Sequence, residues 1–176
     1  MLTRLATTAL AVGLVAAADL RAPEPAPWKV GLRSVGPVRY GISLTEASRA
    51  LGETLTLDAT EPGESCAYLH PAAAPWGVSF MVIDTLVERV DVHEGKVTTV
   101  SGAHIGSTEA EIKALYPGHI EIEPHPYTGP EGHYLIYVPQ DPSDTMFRII
   151  FETDGDKVTM YRAGRRPAVE YIEGCS

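Results

Sequence analysis

The chain has 176 residues and a formal charge of −9, with 14 Lys and Arg against 23 Asp and Glu. That balance disfavours nucleic acid and anionic lipid as partners, because the surface repels phosphate and carries no basic stripe. With 16 Gly and 14 Pro, many of them between short apolar runs, the composition suits a strand-rich fold with frequent turns.

Residues 1–18 read as a cleavable signal peptide. A single positive charge at Arg4 precedes an uncharged apolar run over 5–17, and Ala16-Ala17-Ala18 supplies the small-residue cleavage pattern before Asp19. The run is shorter than the ~20 residues a spanning helix needs. No cysteine follows it directly, so the expectation is release into the periplasm or the medium, with no transmembrane segment and no lipid anchor. Residues 19–36 are expected to form an extended tether rich in Pro and Ala, with packed structure beginning near Trp28. In an exported chain the two cysteines, Cys66 and Cys175, predict a single disulfide, for which only one pairing exists.

The rest reads as α+β, two similar halves of a helix followed by an antiparallel meander, at 37–100 and 101–176. The first helix starts at Ser43 with Glu46 three residues on, and the second at Thr108 with Glu111. Each pair has capping-box spacing: the hydroxyl accepts from the third backbone N–H and the carboxylate reaches back to the cap N–H. Gly52 and the Pro117-Gly118 pair mark the helix ends. Strand-like runs follow at 54–58, 64–70, 77–83, 86–92 and 96–101 in the first half. The second half has them at 119–123, 133–138, 146–152, 157–162 and 168–172. Alternation is clear at Val90-Asp91-Val92 and Val158-Thr159-Met160, and Asp154-Gly155 predicts a tight hairpin with positive φ.

The starts Gly41-x-Ser43-x-x-Glu46 and Gly106 to Glu111, each ahead of antiparallel strands, resemble the tandem helix-plus-sheet modules of the beta-lactamase-inhibitor-protein fold. One such module is similar to the outer-membrane assembly lipoproteins of the SmpA/OmlA type. The resemblance covers roughly 37–175 and implies fold only. The chain lacks the lipoproteins' lipidation cysteine. The inhibitors carry bridges within each repeat, whereas the bridge expected here joins the halves.

Two loops attract a binding role. The segment 124–134 sets three prolines and two glycines among His125, Tyr127, His133 and Tyr134, rings that bury area at low entropic cost. Trp76, in the Pro- and Ala-rich run 71–77, holds the matching place in the first half. The expected contact residues are Trp76, His125, Tyr127 and Tyr134, facing a protein or envelope component. Six histidines, His70, His93, His104, His119, His125 and His133, offer a rival reading as a periplasmic metal site, but no His-x-His or His-x-x-x-His spacing occurs. A small hydrolase is the other rival, without a nucleophile elbow around Ser65, Ser79, Ser101 or Ser143. No catalytic residue, metal ligand or cofactor is assigned. Arg162, Arg165 and Arg166 are expected on a solvated strand end or turn.

Overall fold

The computed structural model describes residues 28–57 and 65–175. The signal peptide assigned to 1–18 and the first part of the tether, 19–27, lie outside the described residues. The fold is α+β and strand-rich, with two α-helices and twelve strands among the described residues. Among the described residues no helix is long and apolar enough to cross a membrane.

The chain opens with β1 (Lys29–Val30), β2 (Ser34–Val35), β3 (Val38–Arg39) and β4 (Ile42–Ser43), then α1 (Leu44–Leu51). β5 (Cys66–Leu69), β6 (Val78–Ile83), β7 (Leu86–Val92) and β8 (Thr98–Thr99) precede α2 (Glu109–Leu115). β9 (Ile120–Pro124), β10 (His133–Tyr137), β11 (Phe147–Thr153) and β12 (Val158–Arg165) complete the set, with short 3-10 turns at Pro142–Asp144 and Ala168–Glu170. A small sheet runs β3-β2-β1-β8, its β1–β8 pair parallel. The large sheet runs β5-β6-β7-β12-β11-β10-β9, with β4 also paired to β7, and all its neighbours are antiparallel. Strands before and after residue 100 thus share one continuous sheet.

Both helices start where local chemistry directs. The Ser43 and Thr108 hydroxyls accept from the Glu46 and Glu111 N–H, and both carboxylates accept in return from the cap residue's backbone N–H. Those bonds hold the Glu46 and Glu111 carboxyls below their ordinary range. Gly52 closes α1 at φ 71°. At α2 the expected glycine stop gives way to Tyr116, whose N–H bonds the Ile112 carbonyl, because Pro117 has no N–H to continue the ladder. Asp154-Gly155 forms the expected turn, with Gly155 at φ 100° and the Asp154 carboxylate accepting from Asp156 and Lys157 N–H.

The period of two sorts the sheet's side chains onto two unlike faces. One face carries Phe80, Val90, Leu135, Phe151 and Tyr161, which form the core with Ala47 of α1 and Ile112 of α2. Ile112 is fully buried, a placement that contributes roughly 2 kcal/mol. The other face carries Tyr68, Ser79, Arg89, Asp91, Arg162, Glu152 and Tyr134. The C-terminal strap 166–175 crosses it and is bonded by Cys175 to Cys66, whose Cα atoms lie 5.4 Å apart. The predicted disulfide is present.

Several expectations need correction. Residues 28–36 are not tether: they form β1 and β2, with Val30 and Val35, opposite one another in the pair, fully buried in the core. The described part of 54–58 forms no strand; Leu55 and Leu57 pack on the core from an irregular path. The 96–101 run shrinks to β8 in the small sheet, since Val100 and Ser101 already turn away. The 168–172 run is a 3-10 turn whose carbonyls are taken by arginines rather than by a neighbouring strand. Arg162 does not sit on a solvated turn: it is 1% exposed in mid-strand, its charge met by Glu152 and the Val169 carbonyl.

Candidate functional site

Strict antiparallel alternation brings the 70–77 and 125–132 connections, the 154–157 turn and residues 93–95 to one end of the large sheet. The two loops singled out by sequence therefore share an end. They hang from opposite edge strands, β5 and β9, roughly 29 Å apart across six strand spacings. The structure brings His125, Tyr127 and Tyr134 together and leaves Trp76 apart from them.

The His125 group faces inward. Its ring lies 4.6 Å from that of Tyr134 and 6.1 Å from that of Tyr127. Nε2 is 3.1 Å from the Glu152 carboxylate, while Nδ1 accepts from the backbone N–H of Tyr127 and Thr128 and so shapes the turn. Glu152 also pairs with Arg162, whose guanidinium lies 5.1 Å over the Tyr134 ring. His125 and Tyr134 are buried, 8% and 5% exposed. They are buried because the strap covers this face. Burial foremost, and then the Glu152 charge, pushes the Tyr134 phenol up. Tyr127 is exposed, and its hydroxyl donates to Glu173 of the strap.

The strap is clamped along its length. Arg89 donates to the Ala168 and Tyr171 carbonyls at 3.1 and 2.7 Å, Arg162 to that of Val169 at 2.8 Å, and Gly174 packs on the Tyr68 ring. Every buried side-chain polar atom among the described residues has a partner. Under the strap the face works as a closed polar lock.

Trp76 is the opposite case, 81% exposed yet held in place. Its indole Nε1 donates to Glu94 Oε2 at 3.0 Å. The loop that carries it is tied to the end of α1, where the Glu53 carboxylate accepts from Ala72 and Ala73 N–H, and it closes internally through Ala74 N–H to the Pro71 carbonyl. The 70–77 and 93–95 backbones touch at two glycines. A Cβ on Gly77 would lie 2.5 Å from the Glu94 carbonyl oxygen, and one on Gly95 would lie 2.8 Å from that of Trp76. Only glycine permits that approach, and both residues adopt positive φ. Beside Trp76 opens a cleft of about 570 Å³, with Ser79 on its floor and His70, His93 and Glu94 around it.

Apart from His70 and His93, which line the same cleft, the histidines are dispersed. His93 Nε2 lies 3.5 Å from Ser79 Oγ, His104 Nδ1 3.0 Å from Ser107 Oγ, and His119 Nδ1 3.1 Å from the Val138 carbonyl. His133 Nδ1 lies 2.7 Å from Glu109. Among the described residues no three His, Cys, Asp or Glu side chains are placed to share a metal ion. Sequence reasoning missed the Arg89–Asp91 and Arg162–Glu152 pairs; the one available signal was charge interspersed with valine in β7, which read only as strand alternation.

Comparison with known proteins returns no match: no protein-family model, no curated protein and no solved structure matches this chain.

Proposed function

We propose that the chain is an exported binding module, built of two related helix-plus-sheet halves, that engages a component of the cell envelope through the loop end carrying Trp76. The observation that carries this reading is the contrast between the aromatic loops. Trp76 is presented outward on a rigid mount, whereas Tyr127 is bonded to the molecule's own strap and His125 and Tyr134 are buried. An exposed aromatic anchor fixed before binding loses little entropy on capture, which is where contact energy concentrates. The two-half plan draws support from sheet order: β5-β6-β7 after α1 and β9-β10-β11-β12 after α2 approach one another through their last strands, β7 and β12. Export is supported by the N-terminal pattern and by the disulfide, which suits an oxidising compartment.

Co-sedimentation of the purified, oxidised protein with the insoluble envelope fraction of the producing cells tests the reading. The wild type and Tyr127→Ala pellet with the envelope, and Trp76→Ala stays in the supernatant with an unchanged melting temperature. Equal pelleting of the Trp76 variant, or no pelleting of the wild type, would overturn it.

A further inference from the structure

The cleft beside Trp76 has the chemistry of a particular ligand class, and we infer that it binds a neutral saccharide unit of an envelope glycan. The inference rests on the binding-module reading above and adds the ligand class to it. Its volume of about 570 Å³ falls within the usual range for small-ligand pockets. The lining divides into two kinds of surface. Pro71, Pro75 and Trp76 are apolar lining residues, while Ser79, His93 and Glu94 carry polar groups. Ser79 lies beneath them, 1% exposed, with the His93 ring 3.5 Å from its hydroxyl.

A sugar ring presents the complement of both surfaces at once. Its C–H face is apolar and slightly electropositive, which suits the negative face of an indole. Its equatorial hydroxyls both donate and accept, which suits a carboxylate, an imidazole and a hydroxyl side by side. Other classes fit less well. The lining contains Glu94 and no Lys or Arg, within a chain of net charge −9, so an anionic ligand meets repulsion. A purely apolar ligand would cover the polar side chains of His93 and Glu94 without offering them hydrogen bonds. An organic cation would seek an anion facing the ring, but Glu94 bonds the indole at its in-plane N–H edge and leaves the ring face without a charged partner.

The mount argues for a site rather than a chance hollow. The Glu53 bonds to Ala72 and Ala73, the Trp76–Glu94 bond and the glycine contacts at 77 and 95 all fix the wall before any ligand arrives. Such pre-organisation reduces the ordering cost of binding.

The test is titration of the oxidised protein, followed by tryptophan fluorescence and calorimetry, with tri-N-acetylchitotriose, maltotriose and choline as probes. At least one trisaccharide binds the wild type. Trp76→Ala weakens that binding at least tenfold, Trp76→Phe weakens it less, Glu94→Gln weakens it several-fold, and Tyr127→Ala leaves it unchanged. Binding of choline alone, equal binding by the Trp76→Ala variant, or no trisaccharide binding at millimolar concentration overturns the inference. Adding the binding trisaccharide to the envelope co-sedimentation separates the two claims. Competition supports both. Trp76-dependent pelleting that no sugar competes removes the saccharide assignment and leaves the binding module standing; absence of pelleting removes the module reading itself.

Discussion

Arg89 grips Asp91 two residues along the same strand, with Nε 2.9 Å from both carboxylate oxygens and Nη2 2.6 Å from Oδ1, both side chains being buried. Spacing of two puts them on one face of β7, and the rest of the guanidinium is occupied by Tyr68 and by the strap carbonyls of Ala168 and Tyr171. One side chain thus neutralises a buried carboxylate and anchors the C-terminus.

Removing one partner is therefore worse than removing both. Arg89→Met leaves the Asp91 charge uncompensated and two carbonyls without a donor, and is expected to cost about 3–5 kcal/mol. The Arg89→Met/Asp91→Leu double variant is expected to recover part of that loss. Urea midpoints of the wild type, both single variants and the double variant, combined as a cycle, check it.

The disulfide joins residues 109 apart in sequence. Replacing both cysteines by serine is expected to lower stability by about 2–5 kcal/mol, chiefly by freeing the unfolded chain. The strap should also loosen from its C-terminal end, so amide exchange at 171–175 should accelerate more than in β12. Exchange measured by mass spectrometry with and without the bridge distinguishes that local effect from global destabilisation.

The β6–β7 turn places Asp84 at φ 48° and Thr85 at φ 68°. A β-branched residue is strained there, and Asp-Gly is the preferred pair for such a two-residue turn. Thr85→Gly should relieve the strain while keeping the Thr85 carbonyl that receives the Leu44 N–H. A net gain of about 0.5–1 kcal/mol is expected after the entropic cost of glycine. Thermal melts of the two proteins decide it; a lower melting temperature in the variant contradicts the account.

Glu109 opens α2 and meets Thr153 and His133 at 2.7 Å each. Burial acts to raise its carboxyl, but the hydrogen bonds from Thr153 and His133 and the nearby charges outweigh it and hold the group below 4.5. The unfolded state therefore binds the proton more readily. This contribution is full above the unfolded value of 4.5 and is lost as pH falls through the lower folded value. Glu109→Gln should be less stable than the wild type at neutral pH and should lose less stability on acidification below 4.5, read from urea midpoints across that range.

What the sequence reveals is sorted by range. The caps at Ser43 and Thr108 were legible because a capping box spans three residues and depends on little else. The Asp154-Gly155 hairpin was legible for the same reason. The β7–β12 pairing joins residues about 70 apart and leaves no local trace. Arg162 misled because its neighbours differ in setting, Arg165 being half-buried and Arg166 exposed, and only the strap crossing above decides that Arg162 is buried. His125, Tyr127 and Tyr134 were correctly grouped by proximity. Their orientation was not legible, since the carboxylates they meet, Glu152 and Glu173, come from distant strand and strap.

The strand made last, β12, lies in the middle of the large sheet, between β7 and β11. Until it arrives, β5-β6-β7 and β9-β10-β11 are separate ribbons, each with an open edge able to recruit foreign strands. A ribosome or protease that stops short of residue 158 thus removes the keystone of the sheet rather than its fringe. An engineered fusion at the C-terminus adds its load to the strap that seals that keystone.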